Sequence, residues 1–113
     1  MSMIDETRMT KDRDGWEARS RVKLDRYGFP NRILQITTSK AAGGGIYAHA
    51  MSATIKNGSF VWEIFGDWQK TLAKQPKTRC TEKSVKALHD LAIHNVEALV
   101  EDCVAFYSKK EAA

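Results

Sequence analysis

The chain has 113 residues, of which 42% are hydrophobic, and a formal net charge of +4. This length suits one domain, and the hydrophobic content is sufficient for a packed core, which argues against wholesale disorder. No apolar run approaches the roughly 18 residues of a transmembrane helix, and the polar first residues are unlike a signal peptide, so we expect a cytoplasmic protein without a membrane segment.

Basic residues are concentrated in two parts of the sequence. Residues 19–32 and 69–86 together hold eleven of the eighteen Lys and Arg residues but only two of the fourteen Asp and Glu residues. The residues after position 86 are net acidic. This segregation predicts a basic face that suits a polyanionic partner. An alternative of the same weight is that the charges cluster by chance on solvated loops.

The first half of the chain has the pattern of a β-sheet. Residues 1–15 carry charges without an apolar period and are predicted to be a flexible N-terminal lead-in. In residues 16–24 small or apolar side chains alternate with charged ones, which predicts a strand with a basic outer face. Residues 32–39 are rich in β-branched side chains and predict a second strand. Residues 46–56 have no charge before Lys56 and predict a third.

A hairpin signal follows the third predicted strand. Asn57 and Gly58 are the pair that a type I′ turn favours, so residues 59–66 are predicted to return as an antiparallel strand. Val61, Phe65 and Trp68 also fit a helical stripe, which leaves a short helix over residues 61–73 as an alternative. The three glycines at positions 43–45 are predicted to form a mobile loop or the tip of a hairpin.

The last third of the sequence predicts a long amphipathic helix over residues 81–108. No Gly or Pro interrupts it, and Thr81 is a suitable residue to begin it. The predicted fold is therefore α+β, with an antiparallel meander of three or four strands packed against one long C-terminal helix in a single domain over residues 16–113. The helix is apolar on more than one side, which predicts a homodimer formed through it. The apolar stripe comprises Val85, Leu88, Ala92, Val96, Leu99, Cys103 and Phe106.

No motif in the sequence predicts catalysis, a metal site or a cofactor. His89 and His94 are five residues apart on the predicted helix, so their side chains diverge and cannot chelate one ion together. The glycine run lacks the Lys and Ser or Thr of a phosphate-binding loop, and no Gly-x-Ser-x-Gly motif is present. Glu63 and Asp67 are the one acidic pair that an acid/base mechanism could use. We therefore expect a protein that is not an enzyme.

Aromatic residues interleaved with basic residues point to nucleic acid. Rings on a sheet stack on unpaired bases, and neighbouring cations bind the phosphates, as in sequence-tolerant single-strand binders. The alternative is that the tryptophans form the core beneath the helix. The candidate nucleic-acid-binding residues are Arg19, Arg21, Lys23, Lys56, Trp62, Trp68, Lys70, Lys74, Lys77 and Arg79.

The order of these elements over residues 46–100 resembles that of the single-stranded-DNA-binding transcriptional coactivator family. The similar stretches are the hairpin and aromatic strand at residues 56–65 and the basic entry to the helix at residues 77–88. The family's glycine before the helix is absent here. The resemblance implies a curved four-stranded antiparallel sheet, a dimer formed by two helices, and Lys56, Trp62, Lys77 and Arg79 near the bound strand.

The sequence thus favours a small non-enzymatic binding module that engages nucleic acid, preferably single-stranded, through a basic and aromatic sheet face. The alternative is a protein-interaction or inhibitor module, such as a mobile element encodes to occupy a host protein or nucleoprotein complex. In that case the basic residues would meet an acidic protein surface. Direct binding of oligonucleotides distinguishes the two functions.

Overall fold

A computed structural model describes residues 3–62 and 68–112 of the chain and has an α+β fold, as the sequence predicts. Its described part contains six strands, a short 3-10 helix and two α-helices. These elements are β1 (Glu6–Asp12), β2 (Gly15–Lys23), the 3-10 helix (Asp25–Tyr27), β3 (Arg32–Lys40), β4 (Ile46–Lys56), β5 (Ser59–Val61), β6 (Gln69–Gln75), α1 (Glu82–Ile93) and α2 (Val96–Ala112).

The strands form one antiparallel sheet in which β1, β2, β3 and β4 follow one another in order. The second edge of β4 is shared by two strands. β5 pairs with residues 54–56 of β4, and β6 pairs with residues 46–51. The described sheet is therefore five strands wide, and β5 and β6 lie one after the other along the same edge of β4.

Alternation along the strands gives the sheet two different faces. The face that carries Ser20, Ile36 and Ala50 is mostly apolar and is buried where the helices cover it, and we call it the helix face. Both α-helices pack on it and share one hydrophobic core with it, since Val85 and Leu88 of α1 and Leu99 and Val100 of α2 belong to the same buried cluster. The opposite side, called the open face, carries Arg19, Arg21, Gln35, Thr37, Tyr47, His49, Met51 and Phe60.

The core at the far end of α2 is organised around Tyr107. Its ring is fully buried, and its hydroxyl contacts the Ser52 hydroxyl and accepts a hydrogen bond from the Trp68 amide at 3.1 Å. The Trp68 indole N–H donates to an Asp102 carboxylate oxygen at 2.8 Å. α2 is thereby fixed to β4 and to the residue that precedes β6.

The predicted flexible lead-in is wrong for residues 6–12, which form β1. Met9 lies opposite Ala18 and packs against the core, while Arg8 lies opposite Arg19 on the open face. Arg13 and Asp14 form the turn of the hairpin, and the Asp12 carboxylate accepts a hydrogen bond from the Asp14 amide at 2.8 Å. The alternation was hidden because threonine occupies inward and outward positions alike.

The single predicted helix is also wrong, because it is broken between α1 and α2 at His94 and Asn95. Asn is among the preferred helix N-cap residues, and the Asn95 carbonyl accepts the Leu99 amide as the first bond of the new helix. Most of the apolar stripe lies against the chain's own sheet. Of its members, Val85, Leu88, Ala92, Leu99 and Cys103 are buried, whereas Phe106 is exposed.

The region after the Asn57–Gly58 hairpin is partly as predicted. Asn57 and Gly58 both have positive φ, and β5 pairs back on β4 over residues 59–61. The rest of the predicted strand and the acidic pair Glu63 and Asp67 lie outside the described residues, which resume at Trp68. The alternative helix over residues 61–73 is wrong for residues 69–73, because they belong to strand β6.

Candidate nucleic-acid interface

The open face has a basic half formed by β1 and β2. Arg8 and Arg19 lie directly opposite each other, and both side chains are exposed. Arg21 and Lys23 follow Arg19 at two-residue steps on the same face, since alternate strand residues share one side. Lys74 joins this face from β6, where it lies opposite Tyr47.

Two carboxylates partly neutralise these cations. Glu6 forms ion pairs with Arg8 at 2.6 Å and with Arg21 at 3.7 Å, and Glu17 pairs with Arg19 at 3.0 Å. Exposed ion pairs of this kind contribute only about 0–1 kcal/mol. The arginines can therefore exchange a carboxylate for a phosphate at little cost, and Lys23 and Lys74 add to the positive charge.

One group of aromatic rings lies on β5 and just beyond it. The Arg21 guanidinium lies over the Phe60 ring, 4.6 Å from its centroid, in a cation–π contact. Phe60 in turn meets Trp62 edge to face, with 6.2 Å between ring centroids. Trp62 is 36% exposed. This cluster offers an accessible ring next to a cation.

A second aromatic pair lies on β4. The rings of Tyr47 and His49 stack with 4.9 Å between centroids and 15° between planes. They line a shallow cavity of about 350 Å³ with Met51, Gln69 and Thr71 among its other walls. Nδ1 of His49 is buried and has no hydrogen-bond partner among the residues that the structure describes. Burial lowers the pKa of His49, against a smaller opposing effect of Glu17, so the ring is neutral at pH 7.

The structure brings only some of the sequence-predicted site residues together. Arg19, Arg21, Lys23, Lys74 and the ring of Trp62 belong to the open face. Lys56 and Lys70 lie on the helix-face side of β4 and β6, because Lys56 follows Thr54 by two residues and Lys70 pairs with Ala50; Lys70 also lines the cavity beside Tyr47 and His49. Lys77 and Arg79 lie in the loop before α1 and line a cleft of about 490 Å³ with Lys40 and Asp14.

Trp68 is not available for stacking, which corrects its assignment as a binding residue. It is 6% exposed, and its indole N–H is bonded to Asp102.

The candidate residues selected from the sequence did not include four that the structure places on the open face: Arg8, Tyr47, His49 and Phe60. The last three occupy odd-numbered positions of β4 and the partner position on β5, so period-two alternation along residues 46–60 was the signal that could have found them.

A buried cluster beneath α1 places a histidine between two hydroxyl groups. This arrangement is similar to part of a catalytic triad, but the serine in it is not accessible to a substrate. Nε2 of His89 lies 2.7 Å from the Ser20 hydroxyl, and Nδ1 lies 2.9 Å from the Thr38 hydroxyl. All three residues are buried to 5% exposure or less. Ser20 also contacts the Thr7 hydroxyl at 2.9 Å. A substrate would have to displace α1 to reach this serine, so we assign the cluster a structural role.

Within residues 3–62 and 68–112, no group of three or more His, Cys, Asp or Glu side chains is placed to hold a metal ion. Among the described helices, none is long and apolar enough to span a bilayer.

Comparison of the chain with protein-family models, with curated proteins and with solved structures finds no significant match. The open face is therefore interpreted from its own chemistry.

Proposed function

We propose that the protein binds single-stranded nucleic acid on the open face of its sheet. The observation that carries this proposal is the contact between Arg21 and Phe60, because it joins the arginines of β2 and the rings of β5 into one surface. Phosphates would be bound by Arg8, Arg19, Arg21 and Lys23. Bases would stack on Trp62 and on the Tyr47–His49 pair.

The separation of the two aromatic groups suits an extended strand. Phe60 lies opposite Ile55, six residues along β4 from His49, which corresponds to about 20 Å. Rings that far apart can each engage a different base of one strand. Stacking on them requires bases that are not paired in a duplex, which favours a single strand over a double helix.

The arginine distribution supports contacts that do not depend on sequence. Arg8, Arg19 and Arg21 present their guanidinium groups along the sheet, where they match phosphate oxygens in pairs. Aromatic stacking is tolerant of base identity because every base has a flat face. The proposed activity is therefore binding of unpaired DNA or RNA with little sequence preference.

The test is a fluorescence anisotropy titration of a labelled single strand of about 20 nucleotides, with a duplex of the same sequence for comparison. The proposal predicts saturable binding of the single strand, weaker binding of the duplex, and an affinity that falls steeply with added salt. Absence of single-strand binding at low salt would overturn it. Equal affinity for the duplex would overturn the stacking mechanism.

A further inference from the structure

The edge of β6 that faces away from β4 borders a groove. Among the described strands, β4 is the one that pairs with β6, so the other edge of residues 70–75 has no described strand beside it. The groove lies between this edge and the junction of the two helices, and its volume is about 480 Å³. An unpaired strand edge offers its backbone N–H and C=O groups to any extended chain that lies beside it.

The groove has an apolar wall with basic residues along the strand. Leu88, Ala92 and Leu99 contribute buried side chains to the wall, while Leu91 is 67% exposed. Leu91 is the most exposed large hydrophobic side chain in the described part of the chain. The strand side carries Lys70, Thr71, Leu72, Ala73, Lys74 and Gln75.

We infer that this groove binds an extended acidic and apolar peptide segment of a partner protein, added to the sheet as a strand next to β6. Backbone hydrogen bonds to the edge of residues 70–75 would supply affinity. Acidic side chains next to Lys70 and Lys74 would fix the position of the segment, and an apolar side chain would cover Leu91. The groove borders the open face along β6 and shares Lys70, Thr71 and Lys74 with it, but the inference does not rest on the proposed nucleic-acid binding.

Charge favours such a segment over a second copy of the chain. A second copy of β6 would bring its own Lys70 and Lys74 to an edge that already carries two lysines, and like charges at close range repel each other. The described walls of the groove also contain no aromatic ring on which a base could stack, so nucleic acid does not suit it.

The inference is tested by titrating the protein with a fluorescent, end-blocked peptide in which glutamates flank a Val-Leu-Val core. We expect saturable binding. Lys70→Glu should weaken it about tenfold, since the substitution sets a like charge beside the glutamate. Leu91→Ser should also weaken binding, and it should leave the fold intact because the side chain is mostly exposed. Lys83→Glu, which makes the same charge change outside the groove, is the matched control.

A second peptide, in which prolines replace alternate core residues, should not bind because it lacks backbone donors for the strand edge. Three outcomes overturn the inference: no saturation with the first peptide, equal binding by wild type and Lys70→Glu, or a dimer in sedimentation equilibrium that Leu91→Ser dissociates. The last result would assign the groove to a second copy. Leu91→Ser should bind oligonucleotide as wild type does, because Leu91 lines the groove and lies away from the open face, so this variant tests the two proposed sites separately.

Discussion

The guanidinium of Arg21 lies 4.6 Å from the centroid of the Phe60 ring, although β3 and β4 separate their strands in the sheet. The sheet therefore curls toward its open face and brings the arginines of β2 next to the aromatic residues of β5. Arg21 is also held by Gln35, whose side-chain oxygen accepts its Nε–H at 2.8 Å. A cation fixed in this way is ready to bind an anion without losing much side-chain freedom.

The two described tryptophans on either side of residues 63–67 should respond in opposite ways to substitution. We predict that Trp62→Ala lowers single-strand affinity by about 5- to 150-fold, corresponding to the roughly 1–3 kcal/mol of one stacked base, with little effect on stability. Trp68→Ala should instead lower the free energy of unfolding by about 3–5 kcal/mol, because it empties the core beside Tyr107. Anisotropy and urea denaturation measure the two effects. Equal oligonucleotide affinity of wild type and Trp62→Ala would contradict the stacking role.

The β3–β4 turn provides a matched pair of glycine substitutions. Gly45 has φ of +76°, and an added Cβ would lie 2.1 Å from the Gln75 carbonyl oxygen, so Gly45→Ala should cost at least about 2 kcal/mol. A Cβ added at Gly43 would meet no atom within 4 Å, and Gly43→Ala should be neutral or stabilise by up to about 1 kcal/mol. Urea denaturation of both variants is the measurement. Equal stabilities would show that β6 does not approach the turn.

Stability should fall as the pH is lowered through the histidine range. Burial lowers the pKa of His89, with Asp90 opposing the shift, so the unfolded chain binds a proton more readily than the folded one. The stabilising effect is complete above the unfolded pKa of about 6.5 and declines below it, by up to about 1.4 kcal/mol per pH unit. His49 acts in the same direction.

Urea denaturation between about pH 5 and about pH 7 tests this dependence. His89→Gln should reduce the slope of stability against pH, while His94→Gln, at an exposed position, controls for removal of a histidine as such. A stability that stays constant or rises as the pH falls over this interval would contradict the buried neutral ring.

The strands that sequence patterns predicted well are those with a strong local signal. The β-branched and uncharged residues of β3 and β4, and the Asn57–Gly58 turn between β4 and β5, specify their structure with little help from the rest of the chain. The break between α1 and α2 was missed because neither Gly nor Pro marks it. Asn95 was its only local signal, and Asn also occurs within helices.

The site was predictable only in part because burial is a tertiary property. Trp62 and Trp68 have similar neighbours in sequence, yet one is exposed and the other is closed over by Tyr107 and Asp102. Likewise, Lys70 and Lys74 share a parity, but the bulge in β6 opposite Ala48 and His49 sends them to different faces. Alternation alone could not distinguish these cases.

The central claim is tested most directly by comparing oligonucleotide binding of wild type with that of the double variant Arg19→Glu, Arg21→Glu. The control is Lys83→Glu, Lys109→Glu, which changes the net charge equally at exposed positions of the helices. We predict that the open-face variant loses single-strand binding at least about 100-fold and shows a smaller salt slope, whereas the helix variant keeps most of its affinity. Equal losses in the two variants would mean that net charge, and not the open face, attracts the nucleic acid, and would contradict the account.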